Sequence, residues 1–458
     1  MSKINFKYKA DTFLWLIIIS FLIVFHFRYP LNNDEGVVLE GALNIFNHRE
    51  IYKDFFEFVS PGVFYMLALF WKIFGVSYFI AKLLSIVALF MSALGIYKIS
   101  KNISNKNFDA IGPLILVLAS SSWPIVIYHT FNLVFMIWAM FWLLVALDTQ
   151  KYRHFIYSGI LTSLAILFMQ NKGLLFMGAS GSFLLLLSLK NKYYFKKTIV
   201  YGLVTLTPLA LLFIKWSPLF LYQNLILFPL QHYQGLPNIN YLLLLISFVW
   251  IATIIFLLVK EKNKKIYLLI YTQIILILST IPLPDIFHIT LALFPAYSLL
   301  ALSLAKINNK IFWQKIILYA FISTGLIISI LPAIFWPKYF TAFSDDRKNN
   351  DVLEYIQKNC LDSEYIYAGP FSSAVYFETK LKNATSFSWL ISGQHSKEQF
   401  SLAAKQLAQN KPLCAILDYE SVNKYDYNKD NPLDNYISAN YHQIKSFDNI
   451  LIYKLNDL

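Results

Sequence analysis

Charge is scarce in this chain: 14% of its 458 residues are Asp, Glu, Lys or Arg, against 57% hydrophobic and 17% aromatic. A soluble domain of this length needs about a quarter of its residues charged, so the composition excludes one. Cysteine is scarcer still. Cys360 and Cys414 are too few for a disulfide framework or a zinc site. In an oxidising compartment they could pair, but Cys414 lies in the apolar run LCAIL, which reads as a small buried residue. The chain also lacks an internal repeat and any P-loop, GxGxxG, HExxH or CxxC motif, which removes the motif-based case for nucleotide, dinucleotide, metalloprotease or redox chemistry. The net charge of +13 invites a nucleic-acid reading. The lysines, however, fall in short clusters between apolar runs and form no continuous basic face, so no nucleic-acid partner is expected.

What is present is a series of apolar runs long enough to span a bilayer, at 12–28, 76–98, 109–124, 130–147, 155–171, 173–189, 198–216, 240–259, 266–281, 288–305 and 315–336. This predicts an α-helical polytopic membrane protein of about eleven transmembrane helices. The first run follows Lys3, Lys7 and Lys9 and has no small-residue cleavage site, so it reads as an uncleaved anchor. The run from Pro61 to Phe74 is shorter and carries Trp71 and Lys72 at its end, which favours an interfacial or re-entrant helix. If it does not cross, every dense lysine cluster lies on the inner side with the N-terminus. The outer side then collects residues 29–75, the turns at 123–132, 170–173 and 282–288, the loop at 217–240 and the C-terminal segment. From about residue 339 the composition becomes that of a soluble domain. Helix-like and strand-like stretches alternate there (NNDVLEYIQKN, EYIYAG, FSSAVYFETK, SKEQFSLAAKQLAQN, PLCAILDYE, HQIKSFDNILIYKL), predicting a small C-terminal α/β domain over 339–458 and a membrane domain over 1–338.

The carboxylates of the first outer loop cluster just beyond the first span. Asp34 and Glu35 open an amphipathic helical pattern, where backbone N–H groups and the helix dipole favour negative charge. Tyr52, Asp54 and Phe55 follow, then Ser60-Pro61-Gly62. The plain alternative for Asp34 is a carboxylate that only caps the helix. Polar residues at span ends default to functional candidates. Lys82, Lys172 and Lys215 sit near the outer leaflet, where three ammonium groups suit a phosphate, or where long side chains simply snorkel to the headgroups. Asp285 and His288 share a helix face in IPLPDIFHITLALFP, and His129 and Asn132 occupy another outer turn.

This order of features resembles the GT-C glycosyltransferases, and within them the protein O-mannosyltransferase and lipid A aminoarabinose transferase type (family 39-like, bacterial). The features are the acidic pair after the first span, the amphipathic helix, the Tyr-x-Asp-Phe step, a Pro and an aromatic-rich apolar run ending in Phe-Gly. Lys172-Gly173 resembles the family's Lys-Gly step, and Asp285-x-x-His288 a turn common in bacterial members. Relatives often carry an acid near His129 and a Lys just before the Pro. Here there is no acid at the first point, and Val59-Ser60 stand at the second.

The resemblance implies a bacterial inner-membrane enzyme that moves a sugar from a polyprenyl-phosphate donor to a lipid, glycan or protein acceptor at the periplasmic face, with inversion at the sugar carbon. Asp34 would be the base and Glu35 would share that role or hold substrate. Tyr52, Asp54, Lys82, His129, Asn132, Lys172, Lys215, Asp285 and His288 would bind substrate. No cofactor is expected; carboxylate and His could ligate a divalent ion, as in some oligosaccharyl transferases, but their spacing does not look like a dedicated metal site. The rival is a lipid or polysaccharide transporter or flippase, which would tend to place its ionisable residues near the midplane of two repeated halves. A non-catalytic scaffold is a third reading.

Overall fold

The computed structural model describes residues 2–103, 109–120, 124–210, 212–232, 241–258, 260–280, 286–306 and 351–456. The first of these apolar runs forms α1 (Ser2–Arg28). Asn32 then caps α2 (Asn33–Phe46), its side chain accepting the Glu35 N–H, so that the two acids fall in the first turn as the sequence predicts. The apolar face of α2 buries Val38, Leu39, Ala42 and Ile45. The segment after Pro61 forms α3 (Gly62–Phe74), whose 13 residues reach only about 20 Å. That is too short to cross a bilayer. One side of α3 buries Phe64, Leu67 and Trp71, while Leu69, Ile73 and Phe74 are exposed.

The longer runs follow as α4 (Tyr78–Ile103), α5 (Ile111–Ala119), α6 (Tyr128–Thr149), α7 (Tyr152–Phe168), α8 (Gln170–Lys190) and α9 (Tyr193–Ala210). Next come the short α10 (Leu212–Lys215), α11 (Pro218–Tyr222) and α12 (Phe228–His232), then α13 (Tyr241–Leu258), α14 (Lys264–Leu278), α15 (Ile286–Ala292) and α16 (Phe294–Lys306). Among the described residues, four helices are long and apolar enough to cross a membrane: α4, α6, α8 and Tyr193–Lys215. The expected spans at 12–28 and 240–259 contain shorter apolar helices, Thr12–Phe27 and Ser247–Leu258. The run at 288–305 is divided between α15 and α16, and the run at 315–336 lies outside the described residues. The helices pack as neighbours, α6 on α7 and α4, α7 on α9, and α16 on α4 and α5.

The C-terminal segment opens on a helix at 351–359 and builds a five-stranded sheet of order β2-β1-β3-β5-β4. Its strands are β1 (Tyr365–Pro370), β2 (Lys382–Asn383), β3 (Cys414–Asp418), β4 (Tyr441–Phe447) and β5 (Ile450–Leu455). β1 pairs in parallel with β2 and β3, while β5 runs antiparallel between β3 and β4. The predicted helix in SKEQFSLAAKQLAQN is Lys397–Asn410, opened by a capping box in which Ser396 and Gln399 satisfy each other's backbone N–H. A helix at Pro432–Asn440 is additional to those predicted; Asn431 caps it and Pro432 stands at its first position. Cys360 and Cys414 are joined by a disulfide, with Cα atoms 5.7 Å apart. Cys414 is therefore buried as expected but is also half of a bridge, because the parallel sheet brings β3 against the end of the 351–359 helix.

This segment sits directly on the first loop. The Ser373 hydroxyl donates to the Asn33 carbonyl, the Phe56 N–H donates to the Ser386 carbonyl at 2.8 Å, and Trp71 of α3 stacks on Phe377 at 5.5 Å. Gly36 makes the approach possible: a Cβ there would lie 2.3 Å from the Ala374 nitrogen.

Candidate active site

Successive residues of a helix point about 100° apart, so the acidic pair divides its tasks. Glu35 turns inward and is fully buried. Its Oε1 lies 2.8 Å from the Lys82 ammonium and accepts the Val126 N–H at 2.7 Å, and its Oε2 accepts the Tyr78 hydroxyl at 2.8 Å. Lys82 also donates to the Pro124 carbonyl at 2.7 Å. One carboxylate thus ties the first loop to α4 and to the chain entering α6. Asp34 is only half-buried, and its carboxylate makes no side-chain hydrogen bond among the described residues. Burial raises its pKa above the usual 3.8, against the pull of Lys424 on the short 3-10 helix Glu420–Tyr425 of the C-terminal segment. Lys424 is held over α2 by an apolar cluster in which Val37 packs against Trp389, Ile391 and Val422.

The entrance to α6 links Asp34 to a group of bases. The Tyr128 hydroxyl lies within electrostatic reach of Asp34 and of Glu57. The adjacent His129 is buried, its ring 4.6 Å from that of Tyr128 and 4.8 Å edge-on from that of His288. Its Nδ1 has no hydrogen-bond partner among the described residues. Lys172, in the first turn of α8, is also buried and donates to the His288 carbonyl at 3.5 Å. His129, Lys172 and His288 therefore come together from the first turns of α6, α8 and α15, far apart in the chain. Asp285 lies outside the described residues.

Other expected site residues are engaged elsewhere. Tyr52 is buried with φ +68°, donates to the Val59 carbonyl at 2.6 Å and meets the edge of Trp216, which fixes the bend of the first loop. Asp54 accepts the Glu50 N–H at 2.7 Å and closes the same turn. Asn132 donates to the Ala165 carbonyl at 2.8 Å and bridges α6 to α7. Lys215 faces Glu50 at 3.6 Å, the Tyr65 hydroxyl at 3.1 Å and the Trp216 ring, near the C-terminal end of α2. At the position before Pro61, the Ser60 N–H and hydroxyl both donate to Gln170 Oε1, while the Gln170 amide donates to Phe58 and Leu225 carbonyls.

Two buried carboxyls escape a reading of the sequence. Glu57, in FFEFVSPG, is 2% exposed, its Oε1 has no partner among the described residues, and burial holds its pKa well above the usual carboxylate range. Glu40, on α2, accepts from the Asn383 amide at 3.0 Å, and burial pushes it to about 7 against that hydrogen bond. The signal for Glu57 is a lone charge inside an aromatic run. Among the described residues, no group of three or more His, Cys, Asp or Glu is placed to hold a metal ion.

Residues 59–216 match the family described as dolichyl-phosphate-mannose-protein mannosyltransferase. A search of the curated proteins finds no match. Among solved structures, ArnT from Cupriavidus metallidurans in the apo state has a TM-score of 0.63 at 11% identity, over 99% of this chain and 98% of that one. The same protein bound to undecaprenyl phosphate has a TM-score of 0.61 at 10% identity, with the same coverage. The oligosaccharyltransferase of Archaeoglobus fulgidus in the apo form has a TM-score of 0.51 at 12% identity, over 91% of this chain and 70% of that one. The mycobacterial arabinofuranosyltransferase AftD has a TM-score of 0.54 at 11% identity, over 98% of this chain and 40% of that one. In fold over nearly its whole length, and in sequence over residues 59–216, the chain resembles the GT-C glycosyltransferases of the protein mannosyltransferase and ArnT type.

Proposed function

We propose that this protein is a membrane glycosyltransferase that takes a sugar from a polyprenyl-phosphate donor and passes it to a nucleophile on a lipid, glycan or protein acceptor. The observation that carries this reading is the placement of Asp34. It is a half-buried carboxylate without a side-chain partner among the described residues, beside the Tyr128–His129 entrance that leads to Lys172 and His288.

In the reaction, the acceptor oxygen forms a bond to the anomeric carbon as the carbon–oxygen bond to the phosphate breaks. The acceptor proton goes to Asp34, whose raised pKa suits a general base. The negative charge that develops on the departing phosphate is met by Lys172 and by imidazole N–H groups of His129 and His288. Attack from the side opposite the phosphate would invert the sugar carbon. Glu35 and Lys82 hold the loop instead of entering the reaction, because each is committed to the other and to its neighbours. Glu57, whose pKa burial raises, adds a second buried carboxyl within electrostatic reach of Tyr128. The bound undecaprenyl phosphate of the Cupriavidus ArnT supports a donor of the same lipid class here.

The same reading sets the site at the periplasmic face of a bacterial inner membrane, with the N-terminus inside. The lysine distribution supports that orientation. So does the Cys360–Cys414 disulfide, which suits an oxidising compartment on the side of the C-terminal segment. The direct test supplies purified protein with undecaprenyl-phosphate sugars and a membrane-lipid acceptor extract, and follows release of undecaprenyl phosphate. Release that requires acceptor supports the transferase, and no release from any donor overturns it.

A further inference from the structure

At the far end of α2 from Asp34, about 20 Å along the helix, a cavity of about 520 Å³ opens between α2, α3 and α10. Arg49, Lys72 and Lys215 bring three permanent positive charges to its wall, with Glu50 the one carboxylate among its lining residues. His48 and the Tyr65 hydroxyl add hydrogen-bonding groups.

The cations are only partly used within the protein. Lys72 is exposed and has no partner among the described residues. Arg49 donates to the Asn44 side chain at 3.1 Å and to the Asp54 carbonyl at 2.7 Å, which fixes its plane and leaves three of its five N–H groups. Glu50 is shared between Lys215 at 3.6 Å and Lys53 at 3.7 Å. The walls therefore carry an excess of positive charge in a ready-made concavity.

The surroundings identify what this charge meets. Leu69, Ile73 and Phe74 of α3 are 57%, 64% and 61% exposed, and on the other flank Phe213, Ile214 and Leu219 are 54%, 81% and 65% exposed. Apolar side chains this bare on both sides of a cationic cavity belong in hydrocarbon. A free anion would find the charges but would leave the flanks uncovered. We propose that this cavity binds the phosphate of an anionic glycerophospholipid headgroup, with the acyl chains lying along α3 and α10–α11. The site is separate from the reacting centre, and it stands whether or not Asp34 is a base.

The test uses the full chain, delipidated in mild detergent and titrated with dioleoyl phosphatidylglycerol or dioleoyl phosphatidylcholine, with binding read by native mass spectrometry. Phosphatidylglycerol should bind more tightly than phosphatidylcholine. Lys72→Gln should weaken phosphatidylglycerol by about tenfold, the loss of one charge-assisted contact, and Lys72→Gln/Lys215→Gln by more. Lys72 is exposed and the Lys215 side chain is 45% exposed, so the variants should elute and melt as the native protein does, while Lys192→Gln, outside the cavity, should bind normally. Equal binding of the two lipids, unchanged in the double variant, would mean that the lysines only snorkel and would overturn the proposal. Inorganic phosphate that competes with phosphatidylglycerol at equal affinity would assign the cavity to a free anion and overturn the lipid as its ligand.

Discussion

Glu35 and Lys82 form an ion pair 2.8 Å long whose side chains are 0% and 2% exposed. Each also satisfies backbone groups of the chain leading into α6, so the pair joins three separate stretches next to Asp34. Glu35→Gln should leave a buried ammonium without its counter-charge and lower stability by roughly 3–5 kcal/mol. Glu35→Gln/Lys82→Met should recover much of that loss. Thermal unfolding in detergent checks both. A Glu35→Gln protein that melts normally but does not turn over would instead put Glu35 in the chemistry.

Gly36 is a close approach of the C-terminal segment to α2. A methyl group there meets the Ala374 nitrogen at 2.3 Å and the Ser373 carbonyl carbon at 2.6 Å, and backbone cannot yield as a side chain tip can. Gly36→Ala should therefore push the segment off the first loop, at a cost of about 1–3 kcal/mol. Faster proteolysis within residues 351–456 in the variant, with the rest of the chain intact, is the expected result.

Glu40 should make stability depend on pH. Its carboxyl holds a proton up to about 7 in the folded protein, while the unfolded chain releases it near 4.5. Over that window the folded state binds more protons, so this contribution to stability is complete at low pH, falls as pH rises from 4.5 to 7, and is lost above. The full difference is on the order of 3 kcal/mol. Melting temperature followed against pH in the native protein and in Glu40→Gln isolates it: the native curve should fall across the window relative to the variant's, and parallel curves would contradict the assignment.

The disulfide closes a loop with a sequence separation of 54 residues. Cys414→Ser should cost the C-terminal segment about 2–5 kcal/mol. Protein unfolded without reductant should take up no maleimide, and two labelled thiols would contradict the bridge.

Much of the architecture was readable because its signals are local. Asn32 and the acids after it mark the start of α2, the shortness of the run after Pro61 marks α3 as non-spanning, and Ser396 with Gln399 marks a helix start. Asp34 as the base comes from the resemblance alone, since Asp34 and its neighbour Glu35 share every local signal. What separates them is Val126, 91 residues away, and Lys82, which only tertiary packing delivers. The same holds for Glu57, whose burial depends on what closes over it, and for Cys360 and Cys414, whose spacing matches no motif. The Pro432–Asn440 helix is different: its Asn-Pro start is a local signal, but nine residues give too short an apolar pattern to stand out.

The most direct test of the account is the turnover of Asp34→Asn. The substitution keeps size and shape at a half-buried position without a side-chain partner among the described residues, so folding should be retained. The native chain and the variant, matched for melting temperature and elution, would be supplied with undecaprenyl-phosphate sugars and an acceptor extract. Loss of the base predicts a fall in turnover of about 10²–10⁴-fold with donor binding preserved. Equal turnover by the two proteins would contradict Asp34 as the base.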